Sequence, residues 1–399
     1  SKQKFIYKKN NFKILGKGKI ILDDKLDNIE YTINKNNEEY KFTSNINLKS
    51  NALILNQLNY TKEENLNSFL KFEGSFKKKD GTKFKSILLE ENNNNFLIKG
   101  LDLNEDFKIN QLKFLSFNFV DNSQIKNKIF IKKNKKKYEI TGEIFDASSI
   151  LEGILEDDNA GLDEFLNNFN STITVKINKT YLDNENYLNN LKGRIIFEKS
   201  KIKNLNLKSN FSKNKLLTFT IITNENNEKI TTLYSDYAKP LVKKYKFIKG
   251  FEEGILDFHS IQKNNFSESK LKIYDFKLQE LPVLTKILTL ASLQGIADIL
   301  TGEGIRFNEF EMNFSNKNKI MKIDEIYAIG PAISILMDGY IESKKLVSLR
   351  GTLVPATTIN KAIGSIPILG DILVGKKMGE GVFGVSFKIK GSPKDLKTT

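Results

Sequence analysis

The sequence predicts a mainly β protein, an antiparallel sheet of many strands with a few short helices. Three observations predict it. Apolar residues alternate with polar ones through most of the 399 residues, as expected of strands with one wet and one apolar face. Strand-like runs follow one another through short polar turns, without the strand–helix–strand rhythm of a parallel sheet. Proline is rare, 6 in the chain, so long strands are permitted.

The elements follow in chain order. FKILGKGKIIL (12–22) and KNKIFIKKNKK (126–136) read as strands, set among polar turns such as KDGT (79–82). DASSILEGILE (146–156) reads as a helix, with Asp146 or Ser148 as N-cap ahead of Ile150, Leu151 and Ile154. GLDEFLNNF (161–169) reads as a second short helical turn. ITVKI (173–177) alternates cleanly and puts Ile173, Val175 and Ile177 on one face. SDYAKPLVKKY (235–245) is a helix capped by Ser235 or Asp236, with Pro240 in its first turns, where proline is tolerated. LKIYDFKL (271–278) puts Leu271 and Ile273 on one face, then changes phase near Tyr274 and Asp275, which suggests a bulge.

The main helix spans 281–302. Leu284, Ile287, Leu288, Ala291, Ile296, Ile299 and Leu300 recur at spacings of three and four, forming one apolar helix face. VSLRGTL (347–353) returns to strand. A second apolar element, IPILGDILVG (366–375), carries Ile368, Leu369, Ile372 and Leu373. VFGVSFKI (382–389) then places Phe383, Val385, Phe387 and Ile389 on one side. Three segments result: a β-groove segment at 1–145; a second at 146–280, interrupted by short helices at 146–156 and 235–245; and a C-terminal helix-plus-sheet module at 281–399. Neither apolar element spans a bilayer, being too short or interrupted by Lys286, Gln294, Asp298 and Asp371. The polar positions of 281–302 carry little positive charge, unlike a surface-seeking membrane helix. Packing on a sheet follows, either as ordinary core or as the end of a groove.

The net charge of +15 comes from lysine; the arginines are Arg194, Arg306 and Arg350. Nucleic-acid binders lean on arginine for bidentate contacts. Lysine and asparagine abound throughout, as in KKNKKK (132–137) and NNNN (92–95), which is the drift of an AT-rich genome. No nucleic-acid partner is expected. Attraction of the lysines to anionic lipid headgroups is a weaker option.

No chemistry-bearing constellation emerges. There is no cysteine, so thiol catalysis, disulfides and cysteine zinc sites are excluded. His259 is the single imidazole and lies in an alternating strand; one histidine does not make a transition-metal site. GDILVGKK (370–377) falls short of a phosphate loop, because Lys377 stands where Ser or Thr is needed. No paired carboxylates are assignable to hydrolysis, and no cofactor or metal is expected. A sheet this long either closes its apolar face against a second sheet or curls it into a trough, and the pattern leaves both open.

Five stretches carry a resemblance. They are ITGEIFDASSILEGIL (140–155), LYSDYAKPLVKKYKFIKGFEEGILDFHS (233–260), LPVLTKILTL (281–290), GEGIRFNEFEMNF (302–314), and the run from DGYIESKK through GTLVPA, IPILGDIL and GEGVFGVSFKIKG to SPKD (338–395). In this order they resemble the C-terminal region of the AsmA-like bacterial envelope proteins, YhdP-type branch, from about residue 138 onward. The resemblance implies a long twisted sheet curved into an open apolar groove, with residues 281–399 capping it. It implies a non-enzymatic lipid conduit that shelters phospholipid acyl chains between inner and outer membranes. It also implies a periplasmic location, an inner-membrane anchor outside this chain, and contact with membrane at the groove ends.

The groove-lining residues it implies are the apolar faces named above: Ile173, Val175, Ile177, Leu284, Ile287, Leu288, Ile296, Ile299, Leu300, Ile368, Leu369, Ile372, Leu373, Phe383, Val385, Phe387 and Ile389. The end module would comprise Leu281–Gly302, the turn at Pro355, Ile366–Gly375 and Gly381–Gly391. The sequence stops short of the family's final polar segment, and it reads as a piece of a larger protein. The competing expectation is a structural envelope scaffold with a closed β core and no lipid cargo.

Overall fold

The structure is a computed structural model and describes residues 2–8, 11–150, 168–242, 250–279, 282–290, 293–343, 345–355, 384–393 and 395–399. Among these residues 71% are strand and 7% helical, so the mainly β expectation holds. The chain forms two compact units, Ser1–Lys213 and Asn214–Thr399. The expected middle segment, 146–280, straddles that division.

The first unit contains β1 (Lys2–Lys8), β2 (Asn11–Leu22), β3 (Lys25–Asn36), β4 (Glu39–Asn47), the small hairpin β5 (Leu53–Leu55) and β6 (Tyr60–Lys62), β7 (Ser68–Lys77), β8 (Gly81–Glu91), β9 (Asn94–Leu103), β10 (Ile109–Val120), β11 (Lys126–Asn134), β12 (Lys137–Asp146), β13 (Ser171–Tyr181), β14 (Tyr187–Glu198) and β15 (Lys201–Asn210). Each strand except the β5–β6 pair joins its chain neighbour in one sheet. Tight turns need residues that accept left-handed backbone, which asparagine and aspartate do readily. Asp23 and Asp24 (φ 44° and 63°), Asn37 and Asn92 occupy such positions. The asparagine-rich composition therefore has structural work at the hairpins.

One pairing departs from the antiparallel expectation. β12 and β13 run parallel, Lys137 opposite Thr172 and Asp146 opposite Tyr181. Residues 147–170 connect them, and a parallel return requires a crossover of about a dozen residues or more. Of the helix expected at 146–156, residues 148–150 are helical. The Ser148 amide donates to the Asp146 carboxylate at 2.9 Å, as an N-cap does. The remainder, and 161–167, lie outside the described residues.

The second unit contains β16 (Leu216–Thr223), β17 (Lys229–Ser235), α1 (Lys239–Val242), β18 (Phe251–Lys263), β19 (Phe266–Leu278), α2 (Pro282–Leu290), α3 (Gln294–Thr301), β20 (Ile305–Lys317), β21 (Ile320–Ile329), β22 (Ile333–Glu342), β23 (Leu346–Pro355), β24 (Val385–Ser392) and β25 (Asp395–Thr398). Its strands form an antiparallel meander. The helix expected at 281–302 is two helices, α2 and α3. The Leu293 amide reaches back five residues to the Leu288 carbonyl at 2.9 Å, which ends the first helix. The second opens at Gln294, and Gly295, a weak helix former, is its second residue.

The phase change expected at Tyr274–Asp275 is present, but not as a bulge in one strand. Asp275 is left-handed (φ 50°), and Gly254 in the neighbouring strand is too (φ 81°). The register on either side is unbroken, Ile255 opposite Tyr274 and Glu253 opposite Phe276. Both strands therefore switch faces at one level. Gly254 is required there twice over, by its φ and because a Cβ would lie 3.1 Å from Ala238 and Phe276. Beyond the switch Phe251, Phe276 and Phe307 stack in a column, centroids 5.2 and 5.3 Å apart.

The outer faces are polar. Lys176, Lys192 and Lys208 stand directly opposite one another on β13, β14 and β15, and all three are exposed. Like charges in register are destabilising. On β20, Glu311 is held by Lys270 and Lys272, each at 2.8 Å, and by Asn313 and Tyr327. Burial opposes its ionisation, but these four donors prevail and bring its carboxyl down to about 2.

Two outcomes are expected. Lys192→Glu should raise stability by about 0.2–1 kcal/mol in low salt by pairing with both neighbours, and the gain should shrink at 1 M salt, measured by thermal melts. Glu311 titrates below its ordinary value of 4.5. Its contribution is therefore full above about pH 4.5 and disappears as pH falls toward about 2. Thermal melts across that window should lose a component in the parent that Glu311→Gln lacks.

Candidate functional site

Strand register carries one apolar face across each unit. In the first unit Ile29, Ile46, Leu70, Leu89, Phe96, Phe117, Ile129, Gly142, Ile177 and Leu191 are successive cross-strand partners from β3 to β14. Phe72, Ile87, Ile98, Leu115, Ile131, Ile140 and Val175 form a second such row. In the second unit the row is Leu233, Phe258, Leu271, Met312, Ile326, Met337, Gly351 and Phe387. Side chains one residue out of phase point to the opposite face.

Part of the first unit's face is covered. Residues 48–67 leave the sheet between β4 and β7 and lay β5 and β6 over it. Leu48, Leu53, Leu55, Leu58 and Tyr60 pack there on Ile46, Leu89, Phe96 and Phe119. Buried polar contacts fix the cover. The Lys62 ammonium is fully buried and donates to the carbonyls of Leu48, Lys49 and Asn51; burial lowers its pKa. The Tyr60 hydroxyl donates to Glu91 at 2.9 Å. Asp27 is buried and accepts from the Ser50 amide and the Asn51 amide side chain, at 2.7 and 2.6 Å. Burial works against its ionisation, yet these bonds hold its pKa below the ordinary value. At the same strand ends Asp121 and Asp146 are both buried, and burial together with the neighbouring Asp146 raises the Asp121 carboxyl.

Away from that cover the face is half exposed. Phe12, Ile14, Ile33, Phe42, Phe84, Leu101 and Leu112 all keep part of their surface open. Phe76 is 40% exposed, Phe5 61% and Tyr7 67%. Aromatic rings dominate this region. Phe42, Phe72 and Phe84 meet edge to face at 5.7–6.3 Å, and Phe5, Phe12, Tyr40 and Phe76, on β1, β2, β4 and β7, follow one another.

In the second unit α2 and α3 cover the face. Leu288 and Leu300 are 0% exposed, and Leu284, Ile287 and Ala297 are buried among Phe276, Phe307, Leu353, Phe387 and Ile389. The structure thus brings together Leu284, Ile287, Leu288, Leu300, Phe387 and Ile389 from the predicted set, with Ile296 at the margin of the cluster. Val385 shares their face and is half-buried. Val175 and Ile177 lie in the first unit, buried with Ile129 and Phe145 and flanked by Ile173. Among the described residues, Ile173, Val175 and Ile177 share a face, as do Val385, Phe387 and Ile389. The side chain of Ile299, and all of Ile368, Leu369, Ile372, Leu373 and Phe383, lie outside the described residues, as does the glycine-lysine stretch 370–377. His259 is exposed on the polar face opposite Lys270.

The half-exposed floor of β2–β10 lies in the 1–145 segment, where a groove was expected but sequence reading named no lining residue. Its strands alternate, but lysines and asparagines dilute the signal. No group of three or more metal-ligating side chains occurs among the described residues. No described helix is long and apolar enough to cross a membrane. Compared with known proteins, the chain matches no family model, no curated protein and no solved structure.

The burial difference predicts a split between two aspartate substitutions. Val175, 6% exposed, should lose about 3–5 kcal/mol as Val175→Asp, an unpaired charge in packed surroundings. The half-exposed Leu101 leaves a carboxylate partly hydrated, so Leu101→Asp should cost about 1–3 kcal/mol. Denaturant titration of both variants measures the order.

Proposed function

We propose that this chain is a segment of a non-enzymatic lipid conduit of the AsmA-like type, carrying phospholipid acyl chains on its apolar face. The observation that carries the reading is the half-exposed, aromatic-rich floor of the first unit, continuous in register with a face that is polar on its reverse side. An exposed apolar band of this kind marks a surface for an apolar ligand or partner. A lipid tail leaving a bilayer costs about 0.8 kcal/mol per CH₂ placed in water. An apolar strip that receives the chain while the headgroup stays wet removes most of that barrier. It needs no acid, base or metal.

On this reading the protein works in the periplasm, between inner and outer membranes. The experiment is native mass spectrometry of the protein purified from cells, beside Leu101→Asp. Phospholipid should accompany the parent and be depleted several-fold in the variant, whose β circular dichroism is retained. A parent free of lipid, with Leu101→Asp globally unfolded, would instead indicate a closed structural scaffold.

A further inference from the structure

The polar face of the first unit carries its lysines in two ways. On several strands they meet carboxylates: Lys17 pairs with Glu30, Lys71 with Glu90 and Lys128 with Glu143. On β13, β14 and β15 they meet one another. Lys176 stands opposite Lys192, and Lys192 opposite Lys208. On its other side Lys176 faces the uncharged Thr141. Arg194 lies two residues along β14, between Thr174 and Asn206. All four cations are exposed. Each alternates with apolar-face residues such as Val175, Leu191, Ile195 and Leu207, so all four point to the reverse side.

The same strands end at a basic corner. The β11–β12 turn holds Lys135, Lys136 and Lys137, and the β14–β15 turn holds Lys199 and Lys201, all exposed. The start of β13 ties the two turns together. The Ser171 hydroxyl donates to the Lys136 carbonyl at 2.7 Å, and the Lys199 amide donates to the Asn170 side chain at 2.9 Å. Beneath them Tyr138, Phe169 and Phe197 pack in series, centroids 5.5 and 5.4 Å apart, which fixes the corner. Among the described residues, no cation of the corner or the ladder belongs to an ion pair. The nearby acids are taken up elsewhere: Glu198 pairs with Lys203, and Glu139 stands opposite Lys132. Repulsion along the ladder costs stability, and an anionic surface laid against it would offset that cost.

We propose that the polar face of β13–β15, with the adjoining basic corner, docks on the headgroups of an anionic bilayer. The charges are spread in two dimensions, as a bilayer requires. They cross three strands about 4.8 Å apart and run along β14 from the turn at Lys199 back to Lys192. All but Arg194 are lysines, point charges without the guanidinium fork that reads phosphates and bases in nucleic acid. Thr172, Thr174 and Asn206, which lie between them, offer no ring on which a base could stack. Nor do they offer an apolar wedge, so the contact is electrostatic. Each lysine near such a surface contributes about five-fold in affinity. The inference goes beyond the conduit reading and does not rest on it, because it concerns the face opposite the apolar floor.

The test is co-sedimentation of the intact chain with vesicles of phosphatidylcholine, with and without phosphatidylglycerol. The parent should bind the vesicles that contain phosphatidylglycerol, and should release them at 1 M salt, where charges are screened within about 3 Å. Lys176→Gln/Lys192→Gln/Lys208→Gln should bind about a hundredfold more weakly, three lysines at about five-fold each. It should melt no lower than the parent, since its ladder no longer repels. Lys17→Gln/Lys71→Gln/Lys128→Gln has the same net charge but draws its lysines from ion pairs, and should bind much as the parent does. Equal losses in the two variants would reduce the effect to net charge and overturn the assignment. Equal binding to pure phosphatidylcholine would overturn it as well. Tighter binding of a single-stranded oligonucleotide than of the vesicles, lost in the ladder variant, would replace the bilayer by nucleic acid. The assay measures docking without lipid transfer, so its failure is separate from failure of the conduit.

Discussion

Parity is the constraint on which this structure depends. A strand's side chains alternate between faces, so a slip of one residue moves a whole apolar set into water. The first unit keeps a single apolar row in phase from Ile29 on β3 to Leu191 on β14. At two levels the phase changes on neighbouring strands together; elsewhere it changes by a one-sided bulge, as between β7 and β8 at Glu73–Gly74 and between β11 and β12 at Lys128–Ile129. Gly100, left-handed at φ 61°, separates Ile98 from Leu101 on β9. On the flanking strands the same face passes from Ile87 to Phe84 and from Leu115 to Leu112. Gly254 and Asp275 do the same in the second unit. Matched switches turn the face without breaking it.

An apolar face kept in phase over so many strands must then meet something. The chain answers differently in its two units. In the second, two short helices bury Leu288 and Leu300 completely against a column of stacked phenylalanines. In the first, a twenty-residue detour covers one end of the strands and is pinned by a lysine with no access to water. Lys62 is an unusual choice for such a pin, since burying an ammonium costs several kcal/mol without partners. The three carbonyls that receive it belong to the detour's own entry, so its bonds close the excursion on itself.

The strands with clean alternation were legible in the sequence. Ile173, Val175 and Ile177 share a face, as do Phe387 and Ile389, because no lysine interrupts the apolar parity of either run. The helical residues from Leu284 to Leu300 were legible for the same reason at a different period. The break between α2 and α3 was not, because apolar spacing continues across it while Gly295 weakens the backbone underneath. The parallel β12–β13 pair was hidden because pairing direction is set by the length and course of residues 147–170, not by the alternation of either strand. The open floor was hidden by Lys35 and Lys133, which occupy apolar-face positions and read as ordinary solvated lysines until register places them beside Phe12, Tyr40 and Tyr138.

Those two lysines bear on why the floor is open at one end only. Apolar surface left in water forgoes roughly 25 cal/mol per Å², so a half-exposed floor is a standing loss of stability that the detour shows this chain able to avoid. The detour covers Ile46, Leu89 and Phe96 and stops short of Phe42, Phe84 and Leu101. Had closure been the only requirement, the uncovered residues would be expected to turn polar, since surface positions are free to do so. They are instead aromatic and aliphatic in consecutive strands, and the Lys35 ammonium among them lies over the Phe12 and Tyr40 rings. A closed scaffold gives no reason for that combination. The conduit proposed above supplies one, because an amphiphile would bring the apolar body that covers the floor.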